Sequence, residues 1–219
     1  MIRNRPALRA NTLLLLAALF LLLAANRRFW QVVLPLAPAG MAGVGFVLAI
    51  GTLLLALVAV VLLPLSFKPL FKPWLGLVLL VAAGAAYFMD NYGAVVDRFA
   101  VQSVAETNLQ EGGEWLSWKM LWAFLGLCAL PVAALCWIRV DWQPFRRELW
   151  SRIKLALALA LALVLVAVLS GRQIASTLRN HRELGHLANP VAVLSASLSY
   201  AHHLRGTVAV VAAPLGRDA

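Results

Sequence analysis

Five apolar runs dominate the chain, at 12–25, 41–63, 74–88, 120–138 and 155–169, and none of them contains a charged residue. Each is read as a membrane-spanning helix. About 20 apolar residues cross the hydrocarbon core, and a helix satisfies its own backbone there. The run at 12–25 is the shortest. It follows the basic start MIRNRPALRA, a pattern that also describes a signal peptide. A retained helix is favoured because no small-residue cleavage signal leads into a mature start. The following NRRFW (26–30) reads as an interfacial anchor with Trp30 at headgroup level. Residues 31–38 form a short connector.

In the run at 41–63, Gly45 and Ala49 are spaced to admit a neighbouring helix. Pro64 ends it. Pro69 and Pro73, beside Lys68 and Lys72, keep the next loop non-helical. The small residues at 82–86 predict a flat packing face. Pro131 predicts a kink in the fourth span. The basic, aromatic segment 139–154 reads as an interfacial helix on an anionic leaflet. In LALALALAL, from Leu155, both alternating residues are apolar, so the alternation does not argue for a strand.

Between the third and fourth runs lies a polar stretch, 90–119. It holds Asp90, Asp97, Glu106, Glu111 and Glu114, five of the nine acidic residues. Taken as a helix over 93–106, it places Val96, Phe99, Ala100 and Val104 on one stripe, with Asp97, Gln102, Ser103 and Glu106 off it. That is an amphipathic helix lying on a membrane surface.

Composition agrees with this pattern. The chain is 63% hydrophobic and 13% charged, with a mean hydropathy of +0.85. A soluble domain carries about 25% charged residues. The expected fold is therefore all-α: a polytopic bundle of five transmembrane helices with periplasmic amphipathic helices. The net charge of +10 is read by position rather than as a nucleic-acid signal, because the basic residues lie between apolar runs. Arg3, Arg5, Arg9, Lys68, Lys72 and the basic residues of 139–154 fall on one side. Arg27, Arg28, Arg98 and Lys119 fall on the other. The positive-inside rule puts the first set in the cytoplasm, and 90–119 and the C-terminal tail in the periplasm of a Gram-negative cell. Few ionisable residues lie within the spans, which counts against an ion or proton transporter.

The candidate chemistry is sparse. Ser103, Thr107 and Glu111 are spaced i, i+4, i+8 and form one polar line if the helix continues. Two hydroxyls and a carboxylate suit a phosphate ester that carries an ammonium group. Spacing alone favours a simpler reading, in which Asn108 and Glu111 form a capping box. Asp97 beside Arg98 reads as a local ion pair. His181, Glu183 and His186 do not have the spacing of a metal site on one helix face, and His202 and His203 point different ways. Cys128 and Cys136 are too far apart on a helix to bond and read as packing residues.

Two stretches carry a resemblance. YFMDNYGAVVDRFAVQSVAETNLQEGGEWLS (87–117) resembles the periplasmic segment of the phosphoethanolamine–lipid A transferases, the polymyxin- and colistin-resistance family. The matching residues are Tyr92-Gly93, Asp97-Arg98, Glu106-Thr107-Asn108 and Glu111. LRNHRELGHLANPVAVLSASLSYAHH (178–203) resembles that family's link from membrane domain to catalytic domain, through Arg179, Asn180, Glu183-Leu184, Asn189-Pro190 and Tyr200.

The resemblance implies a membrane domain over 1–169 and a bridging segment over 170–219, leading toward a periplasmic catalytic domain absent from this chain. It implies transfer of phosphoethanolamine from phosphatidylethanolamine to lipid A. The threonine nucleophile and zinc would lie in the following domain, leaving this chain inactive alone. It also implies that Ser103, Thr107 and Glu111 hold the lipid headgroup, with Ser103 a departure because the family has Asn there. Leu109 replaces a family proline. Two alternatives stand beside this reading. One is a non-enzymatic polytopic inner-membrane accessory protein. The other is a sister transferase acting on the lipopolysaccharide core or a glycan.

Overall fold

A computed structural model describes residues 5–106 and 117–206. Among them, helices α1 (Ala10–Ala24), α2 (Arg27–Val33), α3 (Met41–Leu62), α4 (Phe71–Tyr92), α5 (Arg98–Glu106), α6 (Trp118–Phe124), α7 (Leu130–Trp137), α8 (Phe145–Asn180), α9 (Glu183–Leu187) and α10 (Val191–Gly206) build the molecule. Two three-residue strands, β1 (Ala7–Arg9) and β2 (Arg139–Asp141), pair in parallel with Ala7 opposite Arg139.

Four spans are long and apolar enough to cross a bilayer: α3, α4, α6 with α7, and α8. The fifth predicted span is α1, followed by a bend of 61° into α2 and a 3-10 turn, Leu34–Leu36. Although short, α1 lies at the centre of the bundle. Leu13, Leu14, Ala18, Leu21 and Leu22 are buried. The core is α1 packed with α3 and α4, with Phe46, Leu54, Leu62, Phe71 and Leu75 nearly inaccessible.

Several local expectations change. Part of the 26–30 segment packs into the bundle: Asn26 and Phe29 are buried, Arg27 and Arg28 are exposed, and the Trp30 indole N–H donates to Leu22 O at 2.8 Å. Gly45 meets no neighbour. Ala49 is buried, and a close approach occurs six residues beyond Gly45, at Gly51, where an added Cβ would lie 3.3 Å from the Trp30 ring. Pro73 sits in the first turn of α4 rather than in a loop, where its missing N–H costs nothing. The predicted face at 82–86 packs as expected, with Ala82, Ala83 and Ala86 buried.

Pro131 acts on the turn before it. A π-turn at Leu125–Ala129 separates α6 from α7, which begins one residue before the proline. Pro131 cannot donate to Leu127 O, and its ring crowds that carbonyl; the wider turn accommodates both. Cys128 is half-buried and Cys136 exposed, and both thiols are free.

The segment 139–154 is not a separate interfacial helix. Residues 139–141 form β2, and Phe145–Lys154 are the first turns of α8. With 36 residues, α8 is about 54 Å long. It exceeds the roughly 30 Å hydrocarbon layer, so its polar C-terminal part, with Arg172, Gln173, Thr177 and Arg179, projects beyond it.

Candidate functional site: the cleft between α5 and α10

The polar stretch folds differently from one continuous helix. α4 ends at Gly93, which takes φ +63°, a left-handed conformation that glycine adopts without strain. Residues 94–97 are not helical, and α5 starts at Arg98. Asp97 supplies the cap: its Oδ1 accepts the Ala100 N–H at 2.8 Å. The expected Asp97–Arg98 ion pair is not made. The Arg98 guanidinium instead lies over the Phe99 ring, 4.6 Å from its centroid.

Val96 is the one buried member of the predicted stripe, while Phe99 and Val104 are exposed. The Val96 N–H donates to His186 O at 3.3 Å, tying the entry of α5 to α9. α5 then packs along α10. Between them lies a cleft of about 340 Å³, lined by Asp97, Arg98 and Phe99 on one side and by His186, Ser195 and Ser199 on the other. Ser195 and Ser199, i and i+4 on α10, turn the same way; the Ser195 hydroxyl also donates to Ala192 O at 2.9 Å. The cleft thus holds a guanidinium, a carboxylate, two hydroxyls and an imidazole. Those groups suit a phosphate ester with an attached cation.

A buried amide clasp fixes the start of α10. Asn26 and Asn189 are both almost fully inaccessible. Asn26 Nδ2 donates to Leu21 O and to Asn189 O, at 2.8 and 2.6 Å. The Asn189 N–H donates to Asn26 Oδ1, and Asn189 Nδ2 donates to Ala25 O and Ala82 O. One residue pair therefore joins the end of α1, the middle of α4 and the start of α10. The Asn189-Pro190 peptide is cis. Nearby, His181 Nδ1 lies 3.0 Å from Glu183 Oε1. The Glu183 carboxyl is held below the usual range, first by its own backbone N–H and then by His181.

Of the predicted headgroup residues, Ser103 lies on α5 and is exposed. Thr107 and Glu111, with the alternative capping box at Asn108, lie outside the described residues. Sequence spacing missed Arg98 as a cleft residue, and missed Ser195 and Ser199 altogether. Their i, i+4 relation in the serine-bearing first half of α10 was the available signal. It also missed Asn26, hidden inside what read as an anchor.

The range matched in known proteins includes both stretches. The family model for the phosphoethanolamine transferases EptA/EptB matches residues 54–204. The chain belongs to this family. It is 31% identical over 175 residues to the phosphatidylethanolamine transferase Mcr-1 of Escherichia coli, covering 80% of this chain and 32% of that protein. It is 32% identical over 206 residues to the phosphoethanolamine transferase EptA of E. coli K12, covering 92% of this chain and 37% of that protein.

A solved structure, the integral membrane lipooligosaccharide phosphoethanolamine transferase A of Neisseria meningitidis, superposes with a TM-score of 0.83. At 22% identity it covers 92% of this chain and 38% of its own. That likeness shows the fold: the helical membrane domain expected from the sequence. The chain spans about a third of the length of the curated relatives it matches.

Proposed function

We propose that this chain is the membrane domain of an enzyme that moves phosphoethanolamine from phosphatidylethanolamine to lipid A. In this reading it sits in the bacterial inner membrane, with the α5–α10 end facing the periplasm. It anchors a periplasmic catalytic domain and supplies part of the donor-lipid site. One observation carries the reading. The two stretches that resemble the family in sequence, around α5 and around α9–α10, are remote in the chain yet pack together around one polar cleft.

The chemical step belongs to the catalytic domain in this proposal. Among the described residues, no group of three or more His, Cys, Asp or Glu is placed to hold a metal ion. Zinc, which the family resemblance implies, does not fit the described residues and is proposed to lie with the nucleophile outside this chain. What these residues do is bind and orient. α5 lays its exposed Phe99 and Val104 toward the bilayer surface. Ser103, Thr107 and Glu111 hold the lipid headgroup in this reading.

The test uses the full reading frame that carries this chain, expressed in cells lacking their own transferase, with lipid A read by mass spectrometry. Phosphoethanolamine-modified lipid A is expected from the full frame and none from the 219-residue chain. Glu111→Gln in the full frame should lower transfer about tenfold or more at unchanged expression, the scale of one lost charge-assisted contact. Undiminished transfer would return Glu111 to a capping role. Modification of the core sugars instead of lipid A would reassign the acceptor.

A further inference from the structure

The opposite end of the bundle carries a second polar cleft that the transferase reading does not use. Its volume is about 190 Å³, and its walls come from two stretches that the sequence keeps far apart, 9–11 and 141–151. Arg9 and Asn11 come from the β1–α1 junction, Asp141 from the end of β2, and Arg147, Glu148 and Ser151 from the first turns of α8. The β1–β2 register sets Arg9 directly opposite Asp141. Even so, the ion pairs among the described residues are Arg152–Glu148 and His181–Glu183. Arg9, Asp141 and Arg147 therefore line one cleft without a close ion pair among them.

Asn11 adds a second observation. Its amide nitrogen donates to Ser151 O at 3.1 Å and to Ser151 Oγ at 2.9 Å, which fixes the orientation of the side chain. Its Oδ1 is then buried and receives no hydrogen bond from the protein. A buried acceptor left without a donor is unfavourable. Beside a free carboxylate, it asks for a donor that carries positive charge. The two guanidinium groups of Arg9 and Arg147 ask for an anion with several acceptor oxygens.

We propose that this cleft binds a phosphate ester bearing a primary ammonium, as in the headgroup of an aminophospholipid in the adjoining leaflet. Arg9 and Arg147 take the phosphate oxygens, at the N-terminal end of α1 where the helix dipole also favours an anion. Asp141 and Asn11 Oδ1 take the ammonium. Glu148 stays committed to Arg152, at 3.1 Å. A quaternary ammonium, which has no N–H to donate, satisfies neither acceptor. The site lies at the end of the bundle away from α5 and α10, and it stands whether or not those helices serve a transferase.

The test is a carbodiimide cross-link in lipid nanodiscs. Carbodiimide activates a carboxyl group, and a primary amine then displaces the activating group as a urea and leaves an amide. The full chain is placed in discs of phosphatidylcholine with a minor fraction of phosphatidylethanolamine, treated briefly, digested and mapped by mass spectrometry. The lipid adduct is expected on Asp141 at several times its yield on Glu106 or Glu183, which are reachable carboxylates at the other end. Arg147→Gln should lower the Asp141 yield at least threefold, and Arg9→Gln with Arg147→Gln at least fivefold. Retention volume and melting temperature should stay unchanged, since neither arginine holds another side chain.

A second arm uses discs of phosphatidylcholine alone with soluble O-phosphoethanolamine. An adduct from the soluble compound but not from the lipid keeps the site and assigns it to a soluble ester. An Asp141 yield no greater than that of Glu106 and Glu183 overturns the proposal. So does a yield that survives loss of both arginines.

Discussion

At the scale of single residues, the buried amides matter more than the exposed charges. Asn189 Nδ2 serves two carbonyls, Ala25 O and Ala82 O, that have no water to turn to. Asn189→Ala removes that donor, leaves Ala25 O without it and returns Ala82 O to its helix bond alone, at a cost of about 1–3 kcal/mol. The variant should melt well below the wild type in detergent. Asn189→Asp should be no better, because it replaces the donor with an acceptor and brings a charge into a buried site. A melting temperature within a degree or two of wild type for Asn189→Ala would show that the clasp carries no net stability. Sequence spacing gave no access to this pair. Asn26 stands before Arg27 and Arg28, where an asparagine reads as polar filler, and its partner is more than 160 positions away. Hydrophobic pattern reports which face is apolar, but it does not report which polar group will be enclosed.

At the scale of elements, the spans were legible and their ends were not. The runs at 41–63 and 120–138 match α3 and the α6–α7 span closely, because absence of charge over a bilayer's thickness is a strong signal. α8 escaped at both ends. Its first turns carry Arg146, Arg147, Arg152 and Lys154, which read as surface, yet a helix continues through polar sequence without any change in its own hydrogen bonding. α5 was predicted one turn too long at its start, since Gly93 looked like a helix residue and is in fact the stop of α4. The cap that defines α5 is open to test. Asp97→Ala should destabilise the helix by about 1 kcal/mol, raising amide exchange over residues 100–106 roughly fivefold. Asp97→Ser, which keeps an accepting oxygen, should recover most of the protection. Equal exchange in Asp97→Ala and wild type would mean that packing on α10 alone holds α5.

At the scale of the whole molecule, the packing sorts the chain into two ends. At one, β1 pairs with β2, Lys72 Nζ donates to Ile138 O at 2.7 Å, and Asn11 meets Ser151. At the other, the Asn26–Asn189 clasp, the Tyr87–Ser117 hydrogen bond of 2.8 Å and the α5–α10 contact gather. Successive spans must therefore run in alternate directions, and α1 counts as a crossing although it has 15 residues. The outer faces of α6, α7 and α8 carry Trp122, Leu130, Leu157, Leu161, Val168 and Leu169 exposed, a surface suited to lipid rather than water. Charge is the ground on which the proposed orientation puts the strand-bearing end in the cytoplasm. Arg5, Arg9, Lys68, Lys72 and the cations of 139–154 weight the strand-bearing end. Arg172, Arg179, Arg182 and Arg205 join Arg27, Arg28, Arg98 and Lys119 at the other, so the bias rests on the short loops. Cysteine labelling resolves it. With Cys128 and Cys136 replaced by serine, single cysteines at Phe99 and Ser199 should react in intact spheroplasts with a thiol reagent that cannot cross the membrane. Single cysteines at Lys68 and Arg146 should react only after permeabilisation. The reverse pattern would turn the α5–α10 cleft to the cytoplasm and remove it from any reaction on the outer face. Labelling of all four before permeabilisation would mean that the bundle does not cross the membrane as its alternating ends require.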